Sequence, residues 1–429
     1  MSGGWGEAII MKRNYYIVSL IMLTFFVISF LTNIIGTLIP DIIKGFNLSL
    51  TLVALLPFAF FIAYGVMSIP SGMLIEKYKE KKIMVTGFTV AFLGSLLLAF
   101  IPNYLTAVIS LFIIGCGMAM LQVVLFPLLR TSGGEEHYAF TAVLAQLIFG
   151  LASYISPHVY SYLVENLKNT ATNKSFLASL NGLIPDNLPW ISLYWLFAII
   201  CLIMILVVLF SKFPKVELSK DEEVGALQTH IMLFKKPAVI LFFIAIFCYV
   251  GTEQGMNNWI SQFLSTYHGY DPQTTGAAAV ANFWGLMMIG GILGLLLLKI
   301  MDSRKVLIIF TLLALASLSL ALFASAKISL ITFPLVGFFI SVMFPVIFSL
   351  ALNSVEEHHG SFAGILLTGI TGGAIIPLII GWLGDHFGLR FGMMFIYLTM
   401  AYILSVGFWA RPIIKNKTIQ LFKKEKHNS

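Results

Sequence analysis

An all-α membrane protein of twelve transmembrane helices, arranged as two six-helix bundles, is the fold class this sequence predicts. Three observations carry that reading. Of 429 residues, 59% are hydrophobic and only 10% are charged, against about 25% charged in an ordinary soluble domain. Apolar runs of roughly 18 residues or more, enough to cross a bilayer, recur along the whole chain. A polar segment, Ser211–Pro237 (SKFPKVELSKDEEVGALQTHIMLFKKP), stands between six of these runs and the other six.

The elements follow in order. Span 1 (15–37) is too long for a cleaved signal peptide, and Met1–Ile10 lacks the basic start of one, so it is read as retained. Met11, before Lys12 and Arg13, is an alternative start, which leaves residues 1–10 without a role. A short basic turn separates spans 2 (52–74) and 3 (82–101). Span 4 (105–129) offers Gly115 and Gly117 as a face where helices approach closely. Span 5 (138–164) runs into Glu165–Ile191, read as a solvated connection, and span 6 (192–211) meets the linker. Span 7 (239–264) carries one carboxylate in its middle, and span 8 (275–299) carries Gly285, Gly290, Gly291 and Gly294. Spans 9 (305–325), 10 (328–352), 11 (360–384) and 12 (391–411) complete the set. Pro57, Pro70, Pro127, Pro157, Pro345 and Pro377 interrupt backbone hydrogen bonding within spans, so packing or a polar cavity must satisfy the freed groups. Cys116, Cys201 and Cys248 all fall inside spans, which implies neither a disulfide framework nor a metal site.

The net charge of +7 could suggest a nucleic-acid partner, but its distribution argues against one. With the N-terminus inside, all but five of the 26 Lys and Arg fall on the cytoplasmic side; the exceptions are Lys44, Lys168, Lys174, Lys327 and Arg390. The positive-inside rule then places both termini in the cytoplasm, and the basic tail anchors to the inner leaflet. The expected units are a cytoplasmic N-terminus (1–14), an N-terminal bundle (15–211), a cytoplasmic linker (212–237), a C-terminal bundle (238–411) and a cytoplasmic tail (412–429). Two bundles around a central site is the plan of many secondary transporters.

The carboxylate in span 7 is Glu253, within Tyr249–Ser261 (YVGTEQGMNNWIS). An ionisable group near the bilayer midplane is costly and marks a functional site by default. Glu253 and Asn257 share one helix face, while Gln254 and Asn258 share the adjacent one. That surface is too polar for lipid and points to a cavity.

Between spans 2 and 3, Gly72-Met-Leu74-Ile-Glu76-Lys77 sets an acid and bases across a tight turn, where they can latch two helices in one state and release them in another. The pattern resembles the loop signature of the major facilitator superfamily, with Glu76 for its Asp and Lys79 for its second glycine. The second half is more specific. Met343-Phe-Pro-Val-Ile-Phe-Ser-Leu-Ala-Leu352, Gly372-Gly-Ala-Ile-Ile-Pro377 and Tyr249-Val-Gly-Thr-Glu253 resemble stretches of the fucose–galactose–glucose:proton symporter family, a sugar branch of that superfamily. Leu38-Ile-Pro40 with Lys44-Gly-Phe46-Asn-Leu48, and Leu121-Gln122-Val123, are similar to its spans 1 and 4. There are departures. Ile35 and Gly36 stand where fucose-type members have an Asn-Asp pair, and Gln122 stands where the same members have a carboxylate. Leu125–Pro127 replaces an Asn-Pro-Tyr, and Gly290-Gly291-Ile292 replaces a Gly-Arg-Phe.

The resemblance implies a twelve-helix major facilitator fold working by alternating access on a neutral hexose or related sugar. A hexose needs bifunctional amide side chains for its hydroxyls and an aromatic surface for its C–H face. Gln122, Gln146, Asn257, Asn258, Trp259, Asn282, Trp284 and Asn33 are of the right types, and Glu253 is the candidate coupling residue for protons or sodium. Interhelical hydrogen bonding is the alternative for Asn33, Gln122 and Gln146, and packing is the alternative for both tryptophans. Asp41 and His158 read as solvated rim residues, and Glu356, Glu357, His358 and His359 as a solvated loop. Gly-x-Ser-x-Gly, His-Glu-x-x-His and the phosphate-cradling Gly-x-x-x-x-Gly-Lys-Ser/Thr are missing. No enzyme, cofactor or metal is therefore expected. The expected partners are a sugar, a proton or sodium ion, and the bilayer. The expected setting is a monomer in a bacterial inner membrane. A facilitative uniporter, a drug or metabolite antiporter, a non-transporting sugar sensor and a lipid flippase are the alternatives.

Overall fold

The computed structural model describes residues 14–133, 138–168, 182–185, 187–213, 227–355, 359–411 and 413. Among them, twelve helices are long and apolar enough to cross a membrane. These are Tyr15–Phe46, Leu50–Ile75, Glu80–Phe100, Tyr104–Leu125, Thr141–Leu167, Pro189–Phe210, Pro237–His268, Pro272–Ile300, Ser303–Phe323, Ala326–Leu352, Ser361–Phe387 and Leu389–Trp409. Each matches one apolar run of the sequence, so the protein is a multi-pass integral membrane protein. Its outer faces carry exposed Leu and Phe side chains such as Leu296, Leu398 and Phe408, as lipid contact requires.

Several spans are not continuous. Span 1 consists of Tyr15–Thr32 and Ile35–Phe46, broken at Asn33 and Ile34 near its middle. Span 10 breaks at Ser341 and Val342, between Ala326–Ile340 and Met343–Leu352. Pro345 explains that break, because a proline ring clashes with the carbonyl four residues earlier, here Ser341. Broken helices near mid-depth are tolerated where the freed backbone lines a cavity or is buried in protein.

The turn between spans 2 and 3 is a single residue. One helix ends at Tyr78 and the next begins at Glu80, with Lys79 between them at φ 69° and ψ 160°. The linker holds a short helix, Leu227–Phe234, where the sequence suggested only a polar connection.

The halves meet mainly along three pairs of spans, 1 with 7, 2 with 11 and 5 with 8, with a smaller contact between 1 and 8. Contact extends to the end opposite the linker, called the far end below. Gly381 of span 11 lies against the Leu50 carbonyl at the start of span 2, with a hypothetical Cβ only 2.7 Å from it. Gly36 of span 1 lies as tightly against the backbone of Asn257 in span 7. These junctions bring the polar residues of spans 1, 5, 7 and 8 together.

Candidate functional site

Glu253 stands at the middle of the 32-residue span 7. It is half-buried, and its two hydrogen bonds come from its own helix. Tyr249, one turn earlier, donates its hydroxyl at 2.6 Å, and Gln254 donates Nε2 at 3.2 Å. The sequence placed the carboxylate correctly at mid-depth but gave no sign that Tyr249 would hold it.

From Glu253 a chain of neutral polar groups runs both ways. Gln254 Nε2 reaches Asn33 Oδ1 at 3.4 Å, a long bond that crosses between the halves. Asn33 donates in turn to Ser153 Oγ of span 5 at 2.8 Å and to Ser29 Oγ at 3.3 Å, and the two serines bond each other at 2.6 Å. On the other side, Asn257 Nδ2 donates to Gln254 Oε1 and Asn258 Oδ1, both at 3.3 Å, and Trp284 Nε1 of span 8 donates to Asn257 Oδ1 at 2.9 Å. The chain thus joins spans 5, 1, 7 and 8. Apart from Glu253, each of these amides and hydroxyls is buried, so its partners matter: a buried polar group left unpaired costs about 1–3 kcal/mol. Asn258 Nδ2 lacks a partner among the described residues.

The candidate residues do not all fall into this network. Trp259 is fully buried, and its Nε1 donates to the Pro377 carbonyl of span 11 at 3.2 Å. It packs two helices together, the alternative the sequence left open for it. Asn282 is exposed, but it shares a helix row with Ile289, Leu293 and Leu296, all exposed apolar residues. That row faces lipid, while Trp284 points the other way toward Asn257; the structure does not bring Asn282 to the site. Gln146 is exposed for a different reason. At about 100° per residue, it lies between Ser153, which meets Asn33, and Gly150, which meets Met288 of span 8. Its exposure is to the space between the halves. Gln122 is half-buried on the face of span 4 that carries Gly115, the glycine lying against Phe60 of span 2.

Two ties close the far end. Asp41 of span 1 is buried, not solvated as its place near the end of a span suggested. It accepts from Tyr160 of span 5 and, at 2.9 and 3.0 Å, from Gln273 at the start of span 8. Asp385 of span 11 accepts the backbone N–H groups of Leu50 and Thr51 at 2.8 Å each, and the Thr51 hydroxyl at 2.5 Å. Neither tie is legible in the sequence, because its partners lie 119 to 335 residues apart along the chain. His158 is exposed and stacks edge-on with Tyr154. In the turn between spans 2 and 3, Gly72 is buried and Lys77 lies over the ring of Tyr78 at 5.1 Å. The Glu76 side chain, with Glu356, Glu357 and His358, lies outside the described residues.

The family profile of the Major Facilitator Superfamily matches residues 21–377. A glucose/galactose transporter of Brucella abortus is 30% identical over 404 residues, covering 92% of this chain and 94% of that protein. The L-fucose-proton symporter of Escherichia coli is 25% identical over 406 residues, with 88% and 89% covered. Among solved structures, the fucose:proton symporter in its outward conformation superposes with a TM-score of 0.66 at 23% identity, over 91% of this chain and 97% of that one. A bacterial homologue of the human lysosomal transporter Spinster, inward-facing and unoccupied, gives a TM-score of 0.75 at 14% identity, over 92% and 96%. At these identities the two superpositions speak to fold alone.

Proposed function

The chain belongs to the major facilitator superfamily, and from that premise we propose that it takes up a neutral hexose or related sugar by alternating access. The observation that carries this reading is the neutral amide chain from Asn33 to Trp284, which links the two halves at mid-depth. Amides both donate and accept, as sugar hydroxyls do, so a hexose can exchange partners with the chain as the halves separate. Gln146 and Gln122 are the residues we assign to first contact with the sugar, and Asn257 and Asn258 to the inner wall. The names of the relatives, a glucose/galactose transporter and a fucose-proton symporter, support the substrate class.

The coupling assignment goes to Glu253, the only carboxyl group in the amide chain, with its proton exchanged toward the cavity it half faces. A facilitative uniporter is the second reading. It is favoured by Gly36, which stands where fucose-type members of the resembling family have an acid and has no room for one here. Both termini face the cytoplasm in this account, and the setting is a bacterial inner membrane, so the far end is the outer end. Calorimetry of the purified protein against D-glucose, D-galactose and L-fucose tests the substrate class. The reading expects at least one to bind. Binding of lipophilic cations and of no hexose would turn the assignment to a drug antiporter.

A further inference from the structure

At the far end, well away from the amide chain, a pocket of about 350 Å³ opens beside the Asp41 tie. Small-molecule sites run from roughly 300 to 1,000 Å³, so it can hold one small ligand. Asp41, Lys44, Asn187, Trp190 and Gln273 line it. Trp190 is 1% exposed, and its indole Nε1 has no acceptor among the described residues. A buried donor of this kind is costly to leave unmade, and the Trp190 side chain is part of the pocket lining. Asp41 accepts from Tyr160 and Gln273, and a carboxylate offers about four acceptor positions, so capacity is left for a ligand hydroxyl. Lys44 is exposed at the rim and offsets the Asp41 charge.

We propose that this pocket is an outer docking site for a neutral polyhydroxylated ligand, the same sugar class the protein transports, built on the closed far-end gate. The proposal rests on the sugar reading above. Its chemistry follows from the lining. Donors (Lys44, the Gln273 amide) and acceptors (Asp41, the Asn187 amide oxygen) are mixed beside the Trp190 ring, and the opposite charges cancel. Such a site suits a molecule whose every hydroxyl both donates and accepts, and it holds no excess charge to select an ion. A ligand hydroxyl that bonds Asp41 competes with the bond from Gln273, which ties span 1 to span 8. Docking therefore loosens the gate that the same sugar must pass.

The test is indole ¹⁵N NMR of the full-length protein, whose seven tryptophans give separate Nε1–H signals, with Trp190→Phe and Trp284→Phe as assignment standards. The probes are D-glucose, D-galactose and L-fucose. The expected result is that the Trp190 signal titrates with at least one hexose. It should do so equally in the Gln122→Ala/Gln146→Ala double variant, at concentrations where Trp284 no longer responds. Lys44→Gln should weaken the Trp190 titration about fivefold, the worth of one hydrogen bond. A silent Trp190 beside a responding Trp284 overturns the proposal. So does a Trp190 response that disappears in the double variant, because it would then report gate movement driven from the centre. If neither indole responds to any hexose, the sugar reading itself fails, an outcome distinct from the other two.

Discussion

Gly36 of span 1 lies so close to Asn257 of span 7 that a Cβ at position 36 would overlap the Asn257 carbonyl. No side chain fits there while the far end is closed. Asn257 cannot easily retreat, since it is bonded to Gln254, Asn258 and Trp284. Gly36→Ala should therefore penalise the closed far end by about 1–3 kcal/mol, the usual cost of overpacking. That shifts the closed-to-open ratio about 5- to 150-fold. Spin labels at the far ends of spans 1 and 7 would read the change as a longer distance population. An unchanged distance distribution would mean that the contact does not control closure.

Asp385 ties the far end from the other bundle by capping the start of span 2. Asp385→Asn keeps one acceptor oxygen but turns an N–H donor toward the Leu50 and Thr51 amides, and it removes the charge that favours a helix N-terminus. Ser49 Oγ already accepts from Leu52 N at 3.3 Å, so the helix itself should survive. The expected loss is about 0.5–2 kcal/mol from the closed state. Hydrogen exchange at the first turn of span 2 should quicken, and equal protection in variant and wild type would argue against the cap.

Lys79 is held at φ 69° and ψ 160°, a region nearly restricted to glycine and worth about 1–3 kcal/mol of strain for other residues. The major facilitator loop signature has its second glycine at this position. Lys79→Gly should raise the apparent melting temperature of the purified protein. A lower value would mean that the lysine side chain makes up for its backbone.

Gln146 and Asn282 are both exposed amides, but one faces the space between the halves and the other faces lipid. Gln146→Ala should weaken hexose binding by about 1–3 kcal/mol, or roughly 5- to 150-fold, with Gln122→Ala in the same range. Asn282→Ala should leave affinity within about twofold. Calorimetry on the three variants decides the matter; equal losses at Gln146 and Asn282 would show that the lipid-facing row is misread.

The twelve spans were legible because hydropathy over some twenty residues reports burial in lipid directly. Glu253 was legible because a carboxylate in the middle of span 7 is rare. Trp259 and Asn282 were not, since chemical type tells nothing about which way a helix turns its side chains. Trp259 went to the Pro377 carbonyl and Asn282 to the lipid row. Asp41 and Asp385 were hidden for another reason. Each is ordinary near a helix end, and only the docking of distant spans makes it a tie between the halves. Tyr249 opens the motif that ends at Glu253, and the i, i+4 spacing puts the two in reach, but nothing in the motif says that its hydroxyl holds the carboxylate.

The most direct measurement is counterflow in proteoliposomes, with wild type and Glu253→Gln given labelled D-glucose, D-galactose and L-fucose, with and without imposed proton or sodium gradients. Wild type should exchange at least one hexose without any gradient and accumulate it when a proton gradient is imposed. Glu253→Gln should keep the exchange and lose the accumulation. Wild type that exchanges but never accumulates would establish the uniporter reading and remove Glu253 from coupling. Folded wild-type protein that exchanges no hexose under any condition would contradict the account at its centre.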